Sequence, residues 1–213
     1  MAANMRKPSA SYSLVRDVNA LRTTGPRIRD PARKEKILAA AADLVAHSGF
    51  HAVSMADIGE KAGITGSGIY RHFESKSKIL AVLFEQVIDD LLADARVTVE
   101  NTPDLGQALD KLVVAQVDFV VGKRMLAQVY YNEIRNLPEE DQVRLRRKQR
   151  MYIEEWLFLL RELNRDLDET AARYIVHAAI GAIQSTLFHN VESTEARLRS
   201  LLHRSATAVL DLK

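Results

Sequence analysis

Cysteine is absent from the 213-residue chain. That excludes disulfide staples, thiolate metal sites and a cysteine nucleophile. Chain breakers are scarce, with nine glycines and five prolines, which favours long helices over a many-turned sheet protein. No run of about 18 apolar residues occurs, so no membrane-spanning helix is expected. The opening stretch (MAANMRKPSASYSL) has charge but no continuous apolar core. It does not read as a secretory signal, and a cytoplasmic location is expected. The six histidines are scattered, and neither a metal site nor a cofactor is expected.

What is present is globular in balance, with 47% hydrophobic and 27% charged residues. Such a chain can bury a core without staples. The net charge of +2 hides an asymmetry. Residues 1–78 carry 13 Lys/Arg against 7 Asp/Glu, whereas residues 79–213 carry 17 against 21. A basic first third on a mildly acidic body points to a polyanion partner for that third. A solvated face with a loose tail would give the same totals.

Residues 1–29 read as a basic, flexible tail with no persistent period. Asp30-Pro31 is a helix start, Asp as N-cap and Pro at the first helical position. Ile37, Leu38, Ala41, Leu44 and Val45 follow a 3.6-residue period, and Gly49 sits where a left-handed cap belongs. Ser54, with Asp57 three residues on, makes a capping-box pattern. Thr65 and Ser75 are further caps, the last opening a helix to about Val97. Gly63-Ile64-Thr65 thus links two short helices, the pattern of a helix-turn-helix.

The rest continues as helices. The spans are Pro103 to about Gly122, Lys123 to Asn136, Pro138 to about Leu163, Asp168 to about His189, and one capped by Ser193. No segment reads as a strand. The expected fold is all-α, with a tail (1–29), a helix-turn-helix domain (30–78) and a helical body (79–213).

Residues 54–80, SMADIGEKAGITGSGIYRHFESKSKIL, resemble the DNA-binding signature of TetR-family transcriptional regulators. Gly59 and Thr65 depart mildly from that pattern. The resemblance implies a homodimeric, non-enzymatic regulator, with Ser54, Thr65, Gly66, Ser67, Tyr70, His72 and Lys76 at the DNA. Arg71 joins them by position on the same helix. Physically, a recognition helix presents a few side chains to base edges while neighbours hold phosphates. Alone, each of these residues has a plainer role: Ser54 and Thr65 as caps, Tyr70 as core, His72 as surface.

Catalytic patterns are weak. Ser75-Lys76-Ser77-Lys78 fits S-x-x-K without its partner motifs. The glycine-rich run 63–68 follows a helix and lacks the phosphate-binding lysine. No enzyme is expected.

For the body, the resemblance implies dimerisation through the last two helices. Ala171, Ala172, Ala178, Ala179, Gly181 and Ala182 permit close helix approach there. The segment Val129–Pro138 is similar to one in TetR regulators linked to fatty-acid and acyl-CoA metabolism. Phe119, Met125, Tyr130, Trp156, His177, Ile180 and Gln184 could line an apolar ligand cavity. Arg146, Arg147, Lys148 and Arg150 could receive a coenzyme A phosphate. The reading is therefore a repressor that binds a near-palindromic DNA operator and is released by a lipophilic effector, with acyl-CoA as one candidate. A ligand-dependent activator, or a helical interaction protein with no DNA role, are the alternatives.

Overall fold

The computed structural model describes residues 31–189 and 193–212. The expected tail and the Asp30 cap lie outside the described residues. Among the described residues all regular structure is helical, in the order α1 (Pro31–Ser48), α2 (Met55–Lys61), α3 (Gly66–Ile69), α4 (Lys76–Asn101), α5 (Leu105–Gly122), α6 (Arg124–Glu133), α7 (Glu139–Leu163), α8 (Glu169–Gln184) and α9 (Glu195–Val209). Among the described residues, no helix is long and apolar enough to cross a membrane.

Five of the starts have a local cause. Ser54, Ser75, Asp104, Asp168 and Thr194 accept backbone N–H groups at their helix N-termini, satisfying donors a helix leaves unpaired. Gly49 and Gly63 take positive φ, +79° and +68°, and turn the chain where a side chain would be strained.

Four boundaries differ from expectation. Helix α4 runs to Asn101 rather than Val97, because nothing between them breaks the period. Helix α6 ends at Glu133, and Ile134–Asn136 tighten into a 3₁₀ turn. Helix α8 ends at Gln184, followed by a second 3₁₀ turn, Ser185–Leu187. Thr194, not Ser193, caps α9, its hydroxyl accepting from the Arg197 N–H at 3.3 Å.

Helices α1 to α3 form the head, locked by fully buried Ile37, Ile58 and Ile69. Helix α4 leaves the head and packs against α5 and α7. The apolar core is continuous from Ile58 through Ile79, Leu80 and Phe84 to Trp156 and Ile183. A second contact joins head and body, since α1 also packs on α6. Helices α8 and α9 pair with each other and close the body over α5.

Candidate nucleic-acid interface

The turn around α2 and α3 is built from a capping box and a packed glycine. Asp57 Oδ2 accepts from both the Ser54 N–H and the Ser54 hydroxyl, each at 2.8 Å, while the Asp57 N–H donates to Ser54 Oγ at 3.2 Å. The hydrogen bond from the Ser54 backbone, then that from its hydroxyl, holds the Asp57 carboxyl below its ordinary value. Ile64 N–H reaches back to the Gly59 carbonyl at 2.8 Å. Thr65 occupies the N-cap position of α3 but makes no side-chain cap bond. A Cβ at Gly68 would stand 2.8 Å from Ile64 Cγ2 and 3.0 Å from Thr65 Oγ1. The shortness of this segment in side chains therefore has a packing cause at Gly68.

One side of α3 and the turn after it is sealed: Ile69 and Phe73 are buried. The other side is open, and Ser67, Tyr70, Arg71 and His72 are all exposed. Tyr70 stands out, with a large ring 59% exposed next to a fully buried isoleucine. Ser54 and Thr65 are exposed too. Gly66 opens the short helix. A serine, a tyrosine, an arginine and a histidine exposed within six residues of one another can donate to base edges and phosphates.

Lys76 departs from its expected geometry. Its ammonium turns inward, donating to the carbonyls of Phe50 and of Val53, the latter at 2.5 Å. It also lies 4.3 Å from the centre of the Phe50 ring. Its reach is spent on joining the α1–α2 turn to the start of α4, because those carbonyls have no helical partner of their own.

The next lysine links head to body. Lys78 Nζ lies 3.3 Å from Asp141 Oδ1, which also receives Arg144 Nη2 at 2.5 Å. Arg144 extends to Glu85 at 3.2 Å, and Lys148 joins Glu85 and Asp89 at 2.8 and 2.7 Å. Lys148, then Arg144, hold the Glu85 carboxyl below its ordinary value. Lys148 is thus bound to α4 rather than presented to an incoming phosphate. Arg146 donates to Gln142 Oε1 at 2.8 Å.

The expected ligand residues divide. Tyr130 and Trp156 are buried together near the body centre, and Gln184 reaches the same region by donating to the Tyr131 hydroxyl. Phe119 lies elsewhere, on a groove of about 430 Å³ between α4 and α5 whose lining includes Asp90, Asp94, Asp118 and Lys123. Ile180 is buried in the core, whereas Met125 and His177 are exposed. These seven residues therefore do not line one cavity. The pattern missed Tyr131, Tyr152, Gln116 and Gln149, whose signal was only an amide or hydroxyl within apolar stripes.

The small residues of α8 divide as well. Ala172 and Ala179 close the chain's own core. Tyr174, Ala178 and Gly181 face outward, and space beyond Gly181 is open. On α9, Leu202 and Ala206 point in while Leu201 and Val209 stay partly exposed.

His47 and His51 stand four apart in sequence, but Gly49 ends the helix between them, so they share no helical face. Among the described residues, no group of three or more His, Asp or Glu could hold a metal ion.

Residues 37–83, which hold most of α1 through the start of α4, match the model of bacterial regulatory proteins of the tetR family. The chain is 30% identical over 96 residues to the HTH-type transcriptional activator FasR of Mycolicibacterium smegmatis, covering 45% of this chain and 44% of that one. It is 29% identical over 105 residues to the HTH-type transcriptional repressor KstR2 of Rhodococcus jostii, covering 49% and 52%. The chain thus spans about half the length of these curated relatives. Its fold superposes on the transcriptional regulator FadR from Bacillus subtilis, solved with stearoyl-CoA, at a TM-score of 0.69 and 19% identity, covering 82% of this chain and 98% of that one. Residues 37–83 thus match the model of the tetR family of bacterial regulatory proteins, and the described residues share the fold of a solved transcriptional regulator.

Proposed function

We propose that this chain is a DNA-binding transcriptional repressor acting as a homodimer on a near-palindromic operator. The observation that carries the reading is the tip around α3. Ser67, Tyr70, Arg71 and His72 face solvent together, while Ile69 and Phe73 beneath them are buried. Residues 30–78 serve as the DNA-binding part in this reading, and residues 79–213 as the sensor and dimer platform. Ser54, Thr65 and Gly66 border the contact, and residues 1–29 supply a basic arm toward phosphates.

The dimer reading rests on the outward face of α8 and α9. Tyr174 is 74% exposed, and Phe188 and Leu201 are exposed as well, an apolar surface of the kind that marks an interface. An isologous pairing there would set two copies of α3 about one DNA turn apart, roughly 34 Å.

A lipophilic effector, with acyl-CoA as the leading candidate, releases the operator. It acts through α4, which is continuous from the head into the body. An effector can shift the protein only by its different affinity for the two conformations. The similarity in fold to a regulator solved with stearoyl-CoA supports this choice of class.

The test is a gel shift with the chain's own upstream DNA, across a range of salt, with size determination in parallel. Retardation of a discrete fragment by a dimer is expected. No retardation even at low salt would overturn the DNA reading in favour of a helical interaction protein. Binding only in the presence of effector would make it a corepressor-type regulator or an activator.

A further inference from the structure

The head carries five lysines, Lys34, Lys36, Lys61, Lys76 and Lys78. Three of them are already engaged within the chain. Lys61 pairs with Asp43. Lys76 donates to the carbonyls of Phe50 and Val53, and Lys78 reaches the buried carboxylate of Asp141. An ammonium has three N–H donors, and those turned onto protein oxygens are lost to an outside anion. Lys34 and Lys36 remain. Both are exposed, and among the described residues neither makes a hydrogen bond or an ion pair.

These two lysines differ in what lies next to them. Residues two apart on a helix point to different sides. Lys34 stands three and four positions before buried Ile37 and Leu38, so it borders the packed side of α1. Its ammonium lies 6.0 Å from the centre of the Phe73 ring, at the outer limit of a cation–π contact. A ring at that distance aims the charge and takes up none of its N–H donors. Phe73 is itself buried and directly follows His72 in the turn after α3. The contact therefore sets an unspent cation beside the exposed run Tyr70, Arg71 and His72. The neighbouring carboxylates do not neutralise it: Glu35 and Glu74 are exposed, and among the described residues neither pairs with Lys34.

We propose that Lys34 is a phosphate contact of the head, its ammonium meeting the backbone of duplex DNA beside the segment that follows α3. This rests on the reading of the head as the DNA-binding part and adds a residue to it. The role expected of Lys76 falls instead to a lysine on α1. A phosphate is the partner rather than a base edge, because a lysine ammonium is a point charge on a flexible stem. It suits an anion and carries little shape for telling bases apart.

Phosphates are alike in every sequence, so the test needs no operator. Anisotropy of a labelled mixed-sequence duplex is measured with the full chain across a range of salt. Loss of one phosphate contact lowers the slope of log affinity against log salt by about one. That change is expected for Lys34→Gln. Its binding should be several-fold weaker at low salt, with the deficit shrinking about 3.5-fold for each fourfold rise in salt. Lys36→Gln makes the same change of charge away from the Phe73 ring and should keep the wild-type slope. Lys34→Arg, which retains the charge, should keep it too. The melting temperature of Lys34→Gln should match that of wild type, because the exposed side chain gives up no hydrogen bond.

A wild-type slope in Lys34→Gln would remove the contact. An equal drop in Lys36→Gln would assign the effect to the diffuse field of the head, and a drop in Lys34→Arg would assign it to something other than charge; either overturns the proposal. A wild-type chain that leaves the duplex free even at low salt would overturn the DNA reading itself, and the contact with it. The two failures are thus told apart by the protein in which they occur.

Discussion

The carboxylate of Asp141, only 1% exposed in the first turn of α7, lies 3.3 Å from the ammonium of Lys78 in the first turn of α4. Arg144 closes on the same oxygen at 2.5 Å. A buried carboxylate with two cations is costly to leave half-paired. Asp141→Asn should therefore destabilise the chain by about 1–3 kcal/mol, read as a lower midpoint in urea. An unchanged midpoint would show that solvent around Lys78 and Arg144 already screens the pair.

Glu85 gives that network a pH dependence. Lys148 and then Arg144 hold its carboxyl below the ordinary glutamate value of 4.5. A group whose value is lowered on folding stabilises the fold fully above that ordinary value. The contribution is lost as pH falls through the lowered one. Stability measured downward from pH 6 should fall on the acid side of pH 4.5, and Glu85→Gln should make that fall shallower. Parallel acid limbs in the two proteins would contradict this.

Gly68→Ala tests the packing of the turn. The new methyl would stand 2.8 Å from Ile64 Cγ2, and a β-branched side chain has little rotamer freedom to yield. A loss of about 1–3 kcal/mol is expected, the usual cost of overpacking, with weaker binding to every DNA fragment. Wild-type thermal stability in the variant would show that the turn relaxes without cost.

Tyr70→Ala should behave in the opposite way. Its ring is 59% exposed, so the melting temperature should hold, while specific DNA binding weakens by about 1–3 kcal/mol. Equal retardation of operator by variant and wild type would remove Tyr70 from the contact.

Lys76→Met separates an internal role from a phosphate contact. Loss of the bonds to the Phe50 and Val53 carbonyls should lower stability by about 1 kcal/mol. The slope of log affinity against log salt should stay unchanged. A slope smaller by about one would place the ammonium on a phosphate instead.

Much of the fold was legible because its signals are local. The capping box of Ser54 and Asp57, and the turn glycines Gly49 and Gly63, depend on residues within a few positions. The split of head residues into buried Ile69 and Phe73 and exposed Tyr70 follows from helical period once α3 is placed. The direction of Lys76 was not legible, because it is decided by two carbonyls 23 and 26 residues away. The same holds in the body, where Tyr131 finds Gln184 across 53 positions. Ala172 and Ala178 are alike in sequence, and the packing of α5, α7 and α9 on α8 decides which one is covered.

The packing of α1 on α6 constrains how the two ends of the molecule can communicate. A head held by α4 alone could swing like a pendulum in any direction. Held at two separate places, it is restricted to turning about the line that joins them. Exchange of residues 31–75 between paralogues should accordingly fail unless the facing residues of α6 travel with them. The head of this chain is then longer in three dimensions than in sequence.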